Sequence, residues 1–422
     1  MTLRAGFAEI DITPPLPCEK VGWLVRIVAE TVRDPLVAHV AVFESGDTRI
    51  GFVSLDLLSI RWREVDRIRD AAEKLGIPKD HLMVAATHTH AGPAAVGAGD
   101  VKRNDGYIDH VLVPRVTRAL QEAVAALQPA RIAFARGCED RVAFNRRFVM
   151  TDGSTMCHAR DVAKIRCREG ATDPQLAVLA ATDRNGRYMG TLVNYACHPT
   201  HFGGDNTISP GWPGAMGNRL KDHFGPQCVT LFLNGTFGDV HTANPLNPEH
   251  ADDPQRIGAM LADDVRRLLA APTWLDDVHL TGRTTTLRLP WRDIDGPFGR
   301  DMPHRQRFGT EDIYEREIEQ LRLKQSRRDH FPAEVQCLTV GPDCAYVSIP
   351  GEPFTELGLR IKADSPFAYT QVVGAANGMV GYIPTRRAFD GGGYECTLIT
   401  SSCVDVTAAD AVVDAALNLL RQ

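Results

Sequence analysis

Several apolar runs along the chain end abruptly in polar residues. In the clearest case, five apolar residues at 82–86 lead through Thr87 into His88 and His90, and Gly92-Pro93 then stops any regular element. A short apolar run of this kind predicts a buried strand, and open α/β sheets bind ligands at the carboxyl ends of their strands. In an extended segment, residues two apart point the same way, so His88 and His90 are expected to face one pocket. The pattern favours a metal site; two histidines bonded to loop backbone are the alternative.

The same pattern recurs at three further predicted strands. The strand at 188–195 precedes His198 and His201, the strand at 228–233 precedes Asp239 and His241, and the strand at 344–349 precedes Glu352. The candidate ligands, acids and bases are therefore the following strand-end residues: His88, His90, His198, His201, Asp239, His241, Glu352 and Tyr382. Two histidines and a carboxylate are typical of hydrolytic zinc sites. Glu352 alone could equally stabilise a turn, and spacing does not determine which residues converge.

Periodicity predicts the remaining elements. Strands are expected at residues 5–14, 36–43, 50–58, 130–136, 175–182, 335–340 and 371–375, and helices at residues 63–75, 107–127, 213–224, 253–269, 311–328 and 408–420. This order predicts an α/β fold, a layered mixed sheet flanked by helices with the metal site at strand carboxyl ends. We find no repeat, low-complexity tract or linker, which favours a single domain over residues 1–422.

Three segments leave a choice open or carry a weaker expectation. Asp56 lies inside an apolar run, so it is either a structural hydrogen-bond hub or part of the site. The polar loop at 291–310 either covers the site or is plain surface. The charged helix at 311–328 is expected to be a solvated face.

Composition and motifs exclude several classes of protein. The hydrophobic fraction of 44% and charged fraction of 24% are those of a soluble globular protein. A net charge of −6 argues against nucleic acid as a partner. The sequence contains no apolar run of the roughly 18 residues that a membrane anchor needs, so none is expected. The first residues lack a secretory signal, so a cytoplasmic location is expected. The ten cysteines form no Cys-x-x-Cys pair and are expected to be reduced thiols; serine-triad and nucleotide-binding motifs are also missing from the sequence.

Taken together, the motifs resemble the neutral (non-lysosomal) ceramidases and their bacterial relatives, zinc amidases that cleave the N-acyl bond of ceramide. The resemblance keeps the family's order along nearly the whole chain and is carried by these segments: Asp11 to Pro15, Thr87 to Pro93, Asn145-Arg146-Arg147, His198, Gly238-Asp239-Val240, Gly351-Glu352-Pro353, Asn377 to Tyr382 and Tyr394-Glu395. It implies one Zn²⁺ per chain held by His88, His198, Glu352 and Tyr382. It also implies that His90, Arg146 and Tyr394 surround the scissile carbonyl and stabilise the oxyanion.

This sequence departs from the family pattern in two places. The family has a Ser directly after Gly-Asp-Val, and here that position is His241, which is expected to act as general acid or base, to bind substrate, or to bind metal. The sequence also ends at Gln422, where the family's C-terminal β-sandwich domain would follow, so that domain is expected to be absent. We therefore expect a zinc-dependent amidohydrolase that uses a metal-activated water on a small soluble amide. A zinc esterase or lactonase and a non-catalytic ceramidase-like protein are the alternatives.

Overall fold

The computed structural model describes residues 3–422, and its largest elements are three β-sheets. The first sheet has five strands in the order Leu82–Ala86, Thr48–Leu55, Val37–Ser45, Arg4–Asp11 and Gln128–Pro129. The second has the order Val229–Asn234, Tyr188–Tyr195, Gln175–Thr182, Arg131–Cys138 and Thr273–Leu275. The third has the order Leu280–Pro290, His330–Val340, Cys344–Ser348 and Tyr369–Val373. The strands predicted from alternation and apolar runs therefore form, with boundaries that differ by a few residues.

A parallel pair of strands is present in each sheet, within otherwise antiparallel pairing. These pairs join Leu82–Ala86 to Thr48–Leu55, Tyr188–Tyr195 to Val229–Asn234, and Cys344–Ser348 to Tyr369–Val373. The carboxyl ends of parallel neighbours meet at one edge of a sheet. The chain segments that leave these strand ends carry the candidate residues His88, His198, His241, Glu352 and Tyr382. The predicted fold class, with polar chemistry at strand carboxyl ends, is confirmed.

Amphipathic helices cover the outer faces of the sheets. The helices against the first sheet are Trp62–Glu73 and Val113–Ala125; those against the second are Trp212–Phe224 and Pro254–Leu268; those against the third are Thr355–Asp364 and Ala408–Leu420. In the first helix, Val65, Ile68 and Ala72 are buried at helical spacing. Among residues 3–422, none of the helices combines the length and apolar character that crossing a bilayer requires.

One hydrophobic core draws side chains from all three sheets. Phe43 and Phe52 of the first sheet pack with Leu231 of the second and Tyr346 of the third. The Phe52 and Tyr346 rings meet edge to face at 5.0 Å between centroids. Each such buried side chain contributes about 2 kcal/mol. This shared core fixes the positions of the strands, and with them the strand ends that carry the polar residues.

Short strands complete the region around the strand ends. They are Cys18–Val21 with Ile27–Ala29 and Gly92–Pro93, Thr31–Val32 with Thr207–Ile208, Phe144–Asn145 with Val240–His241, Arg147–Met150 with Thr155–Cys157 and Ile165–Arg168, and Glu352–Pro353 with Tyr382–Ile383. The last pair is parallel and sets Glu352 directly beside Tyr382.

Two helices differ from their predictions. The helix predicted at 107–127 contains a π-helical segment, Ile108–Leu112, before the α-helix Val113–Ala125. Pro114 follows directly; it lacks an N–H and crowds the preceding turn, which accounts for the wider segment. The helix Glu311–Arg327 is more than the expected solvated face, because Ile313, Ile318 and Leu321 are buried. Most of its charged residues are exposed as expected, and the expectation missed the buried apolar side because these residues are scattered among charges.

Candidate metal centre and active site

His88 and His90 reach one pocket, but through a turn and not through an extended strand. The strand ends at Ala86, and His88 has a left-handed backbone with φ 72°. The His88 N–H donates to Leu57 O at 2.9 Å, which holds this turn. The two imidazole rings lie 5.0 Å apart between centroids. A left-handed conformation at a non-glycine residue costs about 1–3 kcal/mol and is concentrated at functional sites.

Hydrogen bonds to backbone carbonyls define the protonated nitrogen of two histidines. His88 Nδ1 lies 2.8 Å from Leu58 O, and His198 Nδ1 lies 2.8 Å from Phe237 O. A carbonyl oxygen can only accept, so each Nδ1 carries the proton and each Nε2 presents a lone pair. This is the state in which histidine binds a metal, with the ring oriented by its second nitrogen.

The two Nε2 lone pairs face the Glu352 carboxylate. Glu352 Oε2 lies 3.4 Å from His88 Nε2 and 3.2 Å from His198 Nε2, and all three side chains are buried. Three electron-pair donors in contact repel one another unless a cation lies between them. Ligand atoms about 2 Å from a tetrahedral zinc are about 3.3 Å apart, which matches these separations. The residues present therefore fit a metal ion of this kind.

A third histidine lies at the same place. Ring nitrogens of His88, His90 and His198 all lie within 4.8 Å of one another, so these three could also hold a metal ion. Among residues 3–422, the buried His90 Nε2 has no hydrogen-bond partner. A buried polar atom without a partner is costly, so a ligand that contacts this nitrogen would be stabilised there. His90 is thus available either to a metal or to a substrate oxygen.

The protonation states at the centre are those of metal ligands. Burial, reinforced by the nearby Arg146 charge, lowers the pKa of His198 to about 3. Burial raises the pKa of Glu352, and positive charge at this point lowers it well below its usual range; protonated His88 and His198 supply that charge, and a bound cation would supply it when both rings are neutral. A neutral imidazole and an ionised carboxylate are the forms that bind a cation.

Tyr382 and Arg146 lie beside the carboxylate. Arg146 Nη2 donates to the Tyr382 hydroxyl at 3.1 Å and to Gly238 O at 2.9 Å. Burial and the Glu352 charge raise the pKa of Tyr382 well above its usual value. Its hydroxyl thus stays protonated unless a cation offsets the negative charge of the phenolate.

A buried ion network fixes Arg146. Its Nε donates to Glu395 Oε1 at 2.8 Å, and Arg147 Nη1 donates to Glu395 Oε2 at 2.7 Å. Arg147 is paired in turn with Glu169. Removing one member of such a network leaves an uncompensated buried charge, so the network holds Arg146 in place. Among the described residues, Arg146 Nη1 makes no hydrogen bond within the protein and remains a free donor.

A cavity of about 570 Å³, called the main cavity below, opens over these groups. Its polar wall contains His88, His90, Arg146, His158, Thr200, His241, Glu352, Tyr382 and Tyr394. Its apolar wall contains Trp23, Leu24, Val25, Leu58 and Phe308. Volume and lining are those of a small-molecule site. Phe308 and Gly309 belong to the loop predicted at 291–310, so the end of that loop covers the site.

His241 lines the main cavity as a neutral hydrogen-bond donor. The Ala243 N–H donates to His241 Nδ1 at 2.7 Å, so the proton is on Nε2, which lies 2.5 Å from Thr200 Oγ1. Neither nitrogen is free to bind a metal in this arrangement. Asp239 is occupied as well: its Oδ1 accepts the Thr355 N–H at 2.8 Å, and its Oδ2 accepts from Asn145 Nδ2 at 2.8 Å.

Other candidates lie outside this site. His201 lines neither the metal centre nor the main cavity, and its Nε2 pairs with Asp252 at 2.9 Å. Asp56 accepts the Val37 N–H at 2.9 Å and faces a separate cavity of about 160 Å³. Of the two alternatives for Asp56, the structure favours the hydrogen-bond hub.

Sequence reasoning missed His158, Thr200 and the segment that contains Trp23. All three line the main cavity, yet none lies at the end of a long strand or in a recognisable motif. Thr200 follows His198 by two residues, which is the one signal that sequence offered. His158 has a positive φ of 51°, a property that sequence does not show.

Comparisons with known proteins identify chains with the same fold. No family model matches the chain. A segment of 138 residues is 30% identical to neutral ceramidase of Pseudomonas aeruginosa and covers 31% of this chain but 19% of that protein. The crystal structure of neutral ceramidase from Pseudomonas aeruginosa aligns with a TM-score of 0.77 at 20% identity, over 100% of this chain and 75% of the other. A ceramidase complexed with C2 aligns with a TM-score of 0.76 at 18% identity, over 99% and 75% of the two chains.

The fold and the polar strand ends thus define an α/β protein with a candidate metal centre under an apolar cavity. The resemblance to the neutral ceramidases is confirmed at the level of the fold: this chain has the fold of the Pseudomonas aeruginosa enzyme, and part of its sequence is similar to that protein.

Proposed function

We propose that this chain is a zinc-dependent hydrolase that cleaves the C–N bond of an N-acyl amide. The observation that carries the proposal is the convergence of the His88, His198 and Glu352 lone pairs at 3.2 to 3.4 Å. That the relatives in sequence and fold are ceramidases supports an amide as the bond cleaved.

His88, His198 and Glu352 would hold one zinc ion, with the Tyr382 oxygen as the fourth ligand. Zinc there supplies Lewis acidity and lowers the pKa of a bound water toward about 7. Arg146 Nη2 donates to the Tyr382 oxygen at 3.1 Å and so favours the phenolate that a ligand role needs. The backbone carbonyls of Leu58 and Phe237 keep the two histidines in the ligating tautomer.

Three groups would bind the carbonyl oxygen of the amide. Arg146 Nη1 is free within the described protein, His90 Nε2 is buried without a partner, and Tyr394 lines the same cavity. Burial raises the pKa of Tyr394 well above its usual value, so its hydroxyl remains a donor at neutral pH. Donors fixed in advance at a developing oxyanion contribute about 10²- to 10³-fold each to the rate.

His241 would bind the substrate through its Nε2–H. Its Nδ1 already accepts the Ala243 N–H, so the ring offers no free lone pair to take a proton from water. Thr200 Oγ1 holds the Nε2–H in the absence of substrate. In the reaction, water oxygen adds to the carbonyl carbon, the C–N bond breaks, and the departing nitrogen takes up a proton. The products are a carboxylic acid and an amine.

A matched pair of substrates tests this function. The protein is stripped with a chelator, reloaded with zinc, and assayed for octanoate release from an N-octanoyl amide and from the corresponding octanoyl ester. We expect the protein to hydrolyse the amide, to lose this activity on chelation and to regain it with zinc. His198→Ala should be inactive, whereas the control His223→Ala, at an exposed position, should keep the activity. Cleavage of the ester without the amide would favour an esterase or lactonase. A zinc-loaded protein that cleaves neither would refute the proposal.

A further inference from the structure

A second cavity adjoins the main cavity and shares a wall with it. This side cavity, of about 340 Å³, is bounded by the segment 243–252 on one side and by Arg146 and His158 on the other. Arg146 and His158 line the main cavity as well. A volume of this size is sufficient for part of a small ligand. Arg146, one of the groups proposed to bind the amide carbonyl, therefore lies where the two cavities meet, while His90 and Tyr394 line the main cavity only.

The shared wall is held in a defined conformation. His158 has a left-handed backbone, and its N–H donates to Arg146 O at 3.1 Å, which ties the two residues together. The His158 ring packs edge-on against His241 at 4.7 Å between centroids. His158 is nevertheless exposed, because its ring borders both cavities. A strained residue that contacts solvent on two sides of a site fits a role in positioning a ligand across the wall.

The two cavities differ in character. The main cavity has an apolar wall that includes Trp23, Leu24 and Phe308. The side cavity has a smaller apolar wall, formed by Phe148, Pro245 and Pro248, and a polar wall formed by Asn244, Asn247, His250 and Asp252. Burial raises the pKa of Asp252, but the hydrogen bond and charge of His201 outweigh it and lower the pKa, so Asp252 is a carboxylate at neutral pH. Its side chain is about 32% exposed, which leaves it accessible to a ligand in the side cavity.

We propose that the side cavity binds the amine half of the substrate, and that this half is a compact amine with a hydroxyl or ammonium group. The acyl half occupies the apolar main cavity. This inference rests on the proposed function and extends it to a substrate class: N-acyl amides with an apolar acyl part and a small polar amine part. Asp252 attracts a cationic amine, and the Asn244 and Asn247 amides hydrogen-bond hydroxyl groups.

Three amides that share one acyl group test this assignment. The zinc-loaded protein is assayed with the N-octanoyl amides of 1,2-diaminoethane, 2-aminoethanol and n-propylamine, and kcat/KM is taken from octanoate release. We expect kcat/KM for the diaminoethane and aminoethanol amides to be about tenfold or more above kcat/KM for the propylamide. A polar site discriminates against a substrate that lacks the hydrogen-bonding group the site is built to bind. Asp252→Asn should lower kcat/KM about tenfold for the diaminoethane amide and much less for the propylamide. The matched control is Asp277→Asn, since Asp277 is 79% exposed and lines neither cavity.

The outcomes separate this inference from the proposed function. If the wild type cleaves all three amides at similar rates, or prefers the propylamide, the side cavity does not select the amine and the inference is refuted while the amidase remains. If Asp252→Asn lowers all three rates equally, Asp252 has a structural role and the inference is likewise refuted. If none of the amides is cleaved by zinc-loaded protein, the proposed function itself fails.

Discussion

The side chains of the candidate site are defined mainly by which hydrogen bonds they have already made. His88 and His198 each donate Nδ1–H to a carbonyl and keep a lone pair for a cation. Asp239 makes three hydrogen bonds that engage both of its carboxylate oxygens. His90 and Arg146 each keep an atom without a protein partner in the described chain. The sequence identifies these residue types, but it does not show which of their atoms are occupied.

The first residue-scale prediction concerns Tyr394. Tyr394→Phe removes one hydroxyl donor without changing ring packing against Phe308 and Tyr382. We expect kcat on the amide to fall about 10²-fold with zinc content and KM little changed, since the lost interaction is made in the transition state. Steady-state kinetics and elemental analysis measure both. The control Tyr188→Phe loses a hydroxyl far from the cavity, and it should retain the wild-type rate. A rise in KM at constant kcat would show that Tyr394 contributes to binding alone.

The second concerns His241, the residue at which this sequence departs from the family pattern that it resembles. His241→Asn keeps an acceptor for the Ala243 N–H but removes the Nε2–H, so we expect full zinc content and a rate about 10²-fold lower. The exposed His223→Asn is the matched control. A loss of zinc in His241→Asn would mean that His241 is a ligand, and an unchanged rate would mean that it takes no part in the reaction.

At the scale of elements, strand ends were predictable and their convergence was not. Apolar runs identified the strands before His88, His198 and Glu352. The parallel partner of each strand lies 25 to 39 residues away in the sequence, and the meeting of three sheet edges depends on packing across the whole chain. Close approach at Gly238 shows the same dependence, because a Cβ there would lie 2.4 Å from Glu352 O. In the helix Glu311–Arg327, apolar residues that lie among charges in the sequence form a buried side, which the sequence analysis did not predict.

Asp56 gives the prediction at this scale. Burial raises the pKa of Asp56 to about 7, while an unfolded Asp titrates near 3.9. The folded state thus binds more protons than the unfolded state between about pH 4 and 7, and stability falls as pH rises through this window. Asp56→Asn can still accept the Val37 N–H but carries no charge. Between about pH 4 and 7, the free energy of unfolding should therefore fall by up to about 4 kcal/mol less in Asp56→Asn than in the wild type.

Denaturant unfolding at several pH values measures this decline. Asp47→Asn, in the exposed turn of the same hairpin, is the matched control and should keep the wild-type pH dependence. If Asp56→Asn also keeps the wild-type pH dependence of the free energy of unfolding, the Asp56 carboxyl is not the titrating group.

At the scale of the whole molecule, three sheets around one core bring the ends of six parallel strands to one region. The order of motifs along the chain predicted this fold through resemblance, and the structural matches confirm it. The cavities could not be predicted, because their walls come from segments such as 22–25, 157–160 and 308–309 that lie in no strong pattern. The single-domain organisation and the cytoplasmic location stay predictions.

Metal content tests the central claim most directly, because it needs no knowledge of the substrate. Elemental analysis is made on the purified wild type, His88→Ala, His198→Ala and the control His223→Ala. We predict one zinc per chain in the wild type and the control, and loss of most of it in His88→Ala and His198→Ala, since each removes one ligand from the set around Glu352. A wild type that binds no metal when zinc is supplied, or variants with undiminished zinc, would contradict the metal centre.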